Sequence, residues 1–230
     1  MSQREHTEWR YLSIVSSIFV AILLISNTVG GKVFSFWGLN LPGGVVVFPI
    51  SYIFGDVLTE VYGYRTSRRI IWTGFGCLAM MSIVYYVVEK LPPAAFWPNQ
   101  QAYATILGFA PRVAFASMMA YFVGEFSNSF VLAKMKILTR GRHLWSRTIG
   151  STIVGEGIDS IVFTMVAFTG VFDGHAIFTI IWSNYLVKVL YEVVATPLTY
   201  TVVNYLKREE GVDIYDYDTD FNPFKIRARG

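Results

Sequence analysis

The stretch GEFSNS, residues 124–129, lies in the middle of a long apolar run, and GEGIDS, residues 155–160, lies in the middle of the next. Both read Gly-Glu-x-x-(Asn or Asp)-Ser. In a helix, residues three and four apart share a face, so each motif aligns a carboxylate with a second polar group on one stripe. Hydrocarbon cannot solvate such a stripe, and a charge at the bilayer centre costs about 2.5–3.5 kcal/mol on the insertion scale. The stripes must therefore face one another or water.

The surroundings are as apolar as that argument needs. The 230 residues are 53% hydrophobic and 17% aromatic, with only 15% charged, whereas a soluble domain carries about a quarter charged residues. A helix needs roughly 20 mostly apolar residues to cross a core about 30 Å thick. Six stretches meet that requirement: about 11–34, 43–62, 69–89, 111–138, 147–171 and 175–206. The second is interrupted by Pro49 and Gly55. The first is too long for a secretion signal and no small-residue cleavage site follows it, so it reads as a retained span. The expected fold class is all-α: a polytopic integral membrane protein of six transmembrane helices over residues 1–206, with a polar, tyrosine-rich tail over 207–230 that is expected to be partly disordered.

Basic residues orient the bundle. Arg4 and Arg10, then Arg65, Arg68 and Arg69, then Lys134, Lys136, Arg140, Arg142 and Arg147, and finally Lys207, Arg208, Lys225, Arg227 and Arg229 fall on one side. Lys32, Lys90 and Arg112 fall on the other, and Lys188 lies inside the sixth span. The positive-inside rule then places both termini in the cytoplasm. Trp9, Trp37, Trp72, Trp97 and Trp145 sit at or just beyond span ends, where amphipathic rings anchor at headgroup depth. The long connection 90–110 reads either as a plain connector or as a cap over an outward opening.

Within the spans the polar residues recur on faces. Glu125 and Asn128 share the fourth span, Glu156 and Asp159 the fifth, and Asn184, Lys188 and Glu192 are spaced by four along the sixth. Asp56 lies in the second span and Asn27 in the first. Helices contributing such stripes at similar depth imply a polar pocket inside the bundle. Deep acids outnumber deep bases: Asp56, Glu125, Glu156 and Asp159 face only Lys188, whose counter-ion is Glu192 on its own helix or Asp159 across the bundle. Glu60, at the end of the second span, precedes Arg65, Arg68 and Arg69; this group reads as an anchor or a gate latch. The two Gly-Glu motifs, in oppositely running spans, are also what an inverted repeat would leave, a device that builds transporter sites at the midplane.

Several chemistries are excluded. A single cysteine, Cys77, permits no internal disulfide or cysteine-based metal cluster. His6, His143 and His175 lie in loops or at span ends, so no HExxH helix exists, and neither a GxSxG elbow nor a Walker A loop is present. A net charge of +3 points to no nucleic-acid partner. No enzyme, cofactor or metal is expected.

Four longer stretches carry a resemblance: FPISYIFGDVLTEVYGYRTSRRIIW (48–72), MAYFVGEFSNSFVLAKMK (119–136), RHLWSRTIGSTIVGEGIDSIVF (142–163) and NYLVKVLYEVVATPL (184–198). Together they resemble the queuosine-precursor transporter family, also called the vitamin uptake transporter family, from the second span to the sixth. The resemblance implies a cell-membrane importer of deazaguanine bases for tRNA queuosine salvage: preQ0, preQ1 and, in some relatives, queuine. The family's polar positions fall here on Asp56, Glu125, Asn128, Glu156, Asp159 and Lys188, with Asn27 and Asn184 as neighbours. That substrate class fits the residues. A guanine-like edge offers two adjacent N–H donors that a carboxylate accepts together, Lys188 can donate to the carbonyl, and Tyr52, Phe54, Tyr121, Phe126, Phe163 and Tyr185 supply rings for stacking. Two alternatives stay open. One is a substrate-binding subunit of an energy-coupling-factor importer, which docks through small residues such as Ser13, Ser17 and Ala21. The other is a proton- or cation-coupled carrier for another small molecule. The oligomeric state, homo-oligomer included, is not set by these features.

Overall fold

The computed structural model describes residues 9–37, 39–108, 110–217 and 219–224; Arg4, His6, Lys225, Arg227 and Arg229 lie outside them. The chain runs α1 (Leu12–Val29), a hairpin of β1 (Val33–Phe36) and β2 (Leu39–Pro42), a 3-10 turn (Gly43–Val46), α2 (Phe48–Lys90), α3 (Gln100–Leu107), α4 (Ala110–Leu138), α5 (Leu144–Phe168) and α6 (Gly174–Glu210). Among the described residues five helical segments are long and apolar enough to cross a membrane: α1, α2, α3 together with α4, α5 and α6. Their surface is inverted relative to a soluble bundle. On α1, Val15, Phe19, Leu23 and Ser26 turn inward while Ile14, Ile18 and Ile25 face out, and large apolar side chains of α2 and α6 such as Met80, Ile83, Leu190 and Val194 are likewise exposed.

Five helices stand where six spans are expected, because the second and third merge. The 43 residues of α2 would be about 65 Å long if straight, but they are not straight. Gly63 has φ 79° and ψ 161°, a conformation open to glycine and strained for any residue with a Cβ. Tyr52 and Phe75 would stand about 35 Å apart along a straight helix, yet their rings lie 5.9 and 5.7 Å from the same Tyr121 ring. The chain therefore doubles back at Gly63, with arms 48–62 and 64–90. The expected connection at 63–68 shrinks to this one residue because Tyr64–Arg69 continue the helix.

Contacts between elements define two ends. At one, the Trp9 ring packs on Tyr62 at 5.3 Å, the Tyr11 N–H donates to Glu210, and Glu60 meets residues of α4, α5 and α6. This tail end holds the start of α1, the Gly63 turn and the end of α6. The hairpin end holds β1–β2, the 91–99 connection and α3. There Arg112 donates to the carbonyls of Val166 and Thr169 at the end of α5, and Asp173 caps α6 by accepting from the Ala176 N–H at 2.8 Å.

The described part of the tail is docked on the bundle. Asp216 is buried and accepts from the Tyr64 N–H at 3.0 Å, just past the Gly63 turn. Arg68 donates to the carbonyls of Asp220 and Asn222, and the Trp72 indole donates to Pro223. Phe221 packs on Tyr64 and Phe130, and Phe224 on Trp72 and Phe122. A tail that reads as polar in composition is held by partners that composition does not display.

Candidate functional site

The two Gly-Glu motifs meet each other. A Cβ on Gly124 would come within 2.9 Å of the Gly155 carbonyl oxygen, and one on Gly155 within 2.9 Å of the Gly124 carbonyl oxygen. Small residues are what allow two membrane helices to approach so closely. The glycines thus set α4 directly against α5, and the glutamates that follow them, Glu125 and Glu156, are delivered fully buried to the centre.

Around this contact the polar residues form three layers. Nearest the hairpin end is a pocket lined by Asn27 of α1, Phe48 of α2, Ser117 of α4, Asp159 and Phe163 of α5, and Asn184 and Lys188 of α6. The room it leaves for water-sized molecules is about 40 Å³, enough for a few waters at about 10–15 Å³ each and too little for a bicyclic base without movement of its walls. Lys188 forms one wall. Its ammonium donates to Asp159 Oδ2 at 2.5 Å and lies 2.7 Å from Glu156 Oε2, and it stands 4.4 Å from the centre of the Phe48 ring, a cation–π contact. Asn27 is anchored through its own helix, donating to the Leu23 carbonyl, while the Asn184 side-chain oxygen is buried without a partner.

The middle layer is acidic and neutral. Asn128 Nδ2 donates to Asp56 Oδ1 at 2.7 Å. Thr59 donates to Ser129 at 3.1 Å, and Ser129 to Glu125 Oε1 at 3.3 Å. Glu192, one turn beyond Lys188 on α6, is buried here too. None of Asp56, Glu125, Asn128 and Glu156 lines the pocket itself.

The third layer, at the tail end, centres on Glu60. Its Oε1 is 2.7 Å from both Arg147 and Lys207 and 3.5 Å from Lys136. Lys136 also donates to the Glu60 carbonyl oxygen, and both lysines pair with Asp213 of the tail at 2.8 Å. Sequence proximity suggested Arg65, Arg68 and Arg69 as the neighbours of Glu60. The reversal at Gly63 instead points Arg68 toward the tail carbonyls and leaves Arg65 and Arg69 exposed. Arg147, Lys136, Lys207 and Asp213 were not legible as partners, because four separate segments bring them together. Phe48 was missed as a ring of the site, its proline-flanked position giving no sign that it faces Lys188. Of the rings named from sequence, Phe163 lines the pocket, Tyr52 and Tyr121 pack on each other beneath it, and Phe126 packs against Trp72 and Phe122 instead.

A helical bundle whose outer surface is apolar and whose interior holds a charged pocket is a multi-pass cell-membrane protein. The family model described as "Putative vitamin uptake transporter" matches residues 42–202. The chain is 32% identical over 180 residues to a "Probable queuosine precursor transporter" of Bacillus subtilis, covering 78% of this chain and 79% of that one. It is 26% identical over 160 residues to the "Queuosine precursor transporter" of Escherichia coli, covering 70% of each. The chain belongs to the vitamin uptake transporter family. No solved structure matches it.

Proposed function

We propose that the protein imports queuosine precursors, deazaguanine bases such as preQ0 and preQ1, with queuine as a further candidate. The observation that supports this most directly is Lys188 held by Asp159 and Glu156 at the wall of a pocket that also presents Asn27, Asn184, Phe48 and Phe163. The carboxylates suit the paired N–H donors of a guanine-like edge, Lys188 or an asparagine amide suits its carbonyl, and Phe48 or Phe163 suits its ring face. Asp56, Glu125 and Asn128 lie in the next layer and do not line the pocket. Admission of a base requires the pocket walls to part, which fits a carrier that opens alternately to either side.

In this reading the arms of α2 are two crossings, so the chain crosses six times, and the end that holds the start of α1 and the end of α6 faces the cytoplasm, with both termini expected there. The wealth of lysine and arginine at that end supports this orientation. The substrate assignment is tested in a cell that cannot make queuosine and lacks its own precursor importer. Expressing the protein and supplying preQ0, preQ1 or queuine at nanomolar levels should restore queuosine to tRNA, and the best ligand names the substrate. No restoration, with the protein shown to be in the membrane, removes the assignment.

One observation favours a second reading, a subunit of an energy-coupling-factor importer. Ser13, Ser17 and Ala21 lie exposed on α1, and Ser17 and Ala21 line a surface groove that also takes in Ile70 and Thr73 of α2. Uptake in a host with no coupling ATPase or scaffold decides between the two.

A further inference from the structure

The middle layer contains no cation. Among the described residues no lysine or arginine lies within ion-pair distance of Asp56, Glu125 or Glu192, whereas Lys188 is taken up by Asp159 and Glu156 above, and Lys136, Arg147 and Lys207 by Glu60 below. The groups facing Asp56 come from α2, α4 and α6. They are Glu60 on its own arm, Asn128 and Glu125 on α4, and Glu192 on α6, whose charge bears on it most strongly; Glu156 of α5 bears in turn on Glu125 and Glu192.

The same layer is short of hydrogens. Asp56 Oδ2, Glu192 Oε1 and Asn128 Oδ1 are buried without a hydrogen-bond partner, on residues that are 0, 2 and 0% exposed, while Glu125 has the hydroxyls of Tyr121 and Ser129 beside it. Asn128 is the telling member, because its amide is fixed by donation to Asp56, which holds its bare carbonyl oxygen in the same place. Buried acceptors left without a partner call for a donor or a positive charge. A metal ion is not favoured: among the described residues no group of three or more acids, histidines or cysteines could hold one. A proton satisfies both deficits at once. On Asp56 or Glu192 it removes one negative charge and turns an acceptor into a donor that an adjacent oxygen can accept.

We propose that Asp56 and Glu192, with Asn128 and Glu125 against them, form a proton-binding site separate from the base pocket, and that protons moving inward through it drive import. The proposal rests on the import reading above. It places the coupling site one helical turn beneath the substrate: on α6, Asn184 and Lys188 line the pocket and Glu192 follows, while Asp56 lies one turn from the Glu60 network that closes the tail end. Chains of acidic residues in this position are how membrane carriers relay protons.

The experiment uses the purified full chain in liposomes, with labelled preQ0 and preQ1 as probes. Two assays run in parallel: exchange of labelled for unlabelled base at equal pH, and net uptake against a gradient of one pH unit, alkaline inside. Wild type should accumulate base up to about tenfold for one coupled proton, and collapsing the gradient with a protonophore should abolish that accumulation. Glu192→Gln should keep exchange and lose accumulation, and Asp56→Asn should also lose accumulation. Infrared difference spectra of the same protein should show a protonated carboxyl band at neutral pH that Asp56→Asn or Glu192→Gln removes. Accumulation that ignores the pH gradient, or that survives in both variants, overturns the proposal. So does the absence of any carboxyl band that these substitutions remove. Failure of exchange with both bases overturns the coupling together with the import reading, and the infrared band then shows whether the protons are held regardless.

Discussion

Two buried charge clusters in this molecule use the same ingredients in opposite proportion. At the pocket one ammonium, Lys188, is held by two carboxylates; at the tail end one carboxylate, Glu60, is held by a guanidinium and two ammonium groups. Their surroundings differ as well. Lys188 borders open space and has a ring face and two asparagines beside it. Glu60 is buried, and its partners arrive from α4, α5, α6 and, through Asp213, the tail. The first arrangement leaves a cation and two anions available to trade partners with an incoming polar molecule. The second ties four segments together, an arrangement suited to a clasp at the tail end.

That contrast predicts separable losses. Lys188→Ala strands Asp159 and Glu156 without a counter-charge at the pocket. Among the described residues Lys188 is also the one lysine or arginine that lines the pocket, so uptake should be lost with the protein still inserted in the membrane. Uptake at the wild-type rate by a well-inserted Lys188→Ala protein would break the comparison at its most important point.

Glu60→Gln should do the reverse. It leaves Arg147 and Lys136, 1 and 2% exposed, without their shared anion, a loss on the order of 3 kcal/mol. Thermal unfolding in detergent should move down clearly, while uptake per inserted molecule stays near wild type. If Glu60→Gln stops transport without lowering the melting temperature, the tail-end cluster belongs to the transport cycle and not to a clasp.

Sharpening the comparison further, Gly155→Val tests what holds the two clusters at their relative depth. The added carbons would collide with Asn128 Cβ, 2.7 Å from the position of a Cβ on Gly155, and with the Gly124 carbonyl oxygen. Overpacking of this kind costs about 1–3 kcal/mol and should disturb the Lys188 cluster more than the Glu60 cluster, which lies two helical turns away along α5. A melting curve and uptake assay on the variant, compared with Gly150→Val at a site that meets only the flexible Met135 side chain, separate that effect from general intolerance.

Much of this was legible in the residues, and the rest was hidden for identifiable reasons. Apolar length alone marked the helices, and the spacing of Glu125 with Asn128 and of Glu156 with Asp159 put them on inward stripes. Of the two counter-ions open to Lys188, the structure takes Asp159 and leaves Glu192. The order matters here, because a lysine four residues before a glutamate is the weaker arrangement on a helix, whereas α5 brings two carboxylates to it. Glu60 misled because sequence neighbours and spatial neighbours part company at Gly63. A glycine at an expected span boundary does not announce that it will take φ 79° and let the helix resume at the next residue. The tail misled because its charges and aromatics count as solvating groups until Lys136, Lys207, Tyr64 and Trp72 are seen to receive them.

Asp216→Ala addresses the clasp at its buried point. The Tyr64 N–H would lose its acceptor, a loss of about 1 kcal/mol once water reaches it, and the chain beyond residue 211 should become more open to a protease added from the tail side. Unchanged protection would mean that the Asp213 ion pairs, the Arg68 and Trp72 hydrogen bonds and the packing of Phe221 and Phe224 hold the tail without Asp216.

The smallest effect expected is a pH response at Asp213. Partial burial pushes its carboxyl upward, but hydrogen bonds from Lys136 and Lys207 outweigh that and hold it below the ordinary aspartate value. A carboxyl with a depressed value in the folded state contributes its full stabilisation above the unfolded value, about 3.9, and loses it as pH falls through the folded one. The tail should therefore stay docked from neutral pH down to about 4 and loosen only below that. Because Asp213 is nearly half exposed, the change should be slight and weaker in high salt. A nitroxide on the exposed Asn222, placed by Asn222→Cys in a Cys77→Ser background, reports it as a gain in mobility. Asp213→Asn should show part of that gain already at neutral pH, and a mobility step near pH 6 or 7 in the unsubstituted tail would mean that a group other than Asp213 governs the clasp.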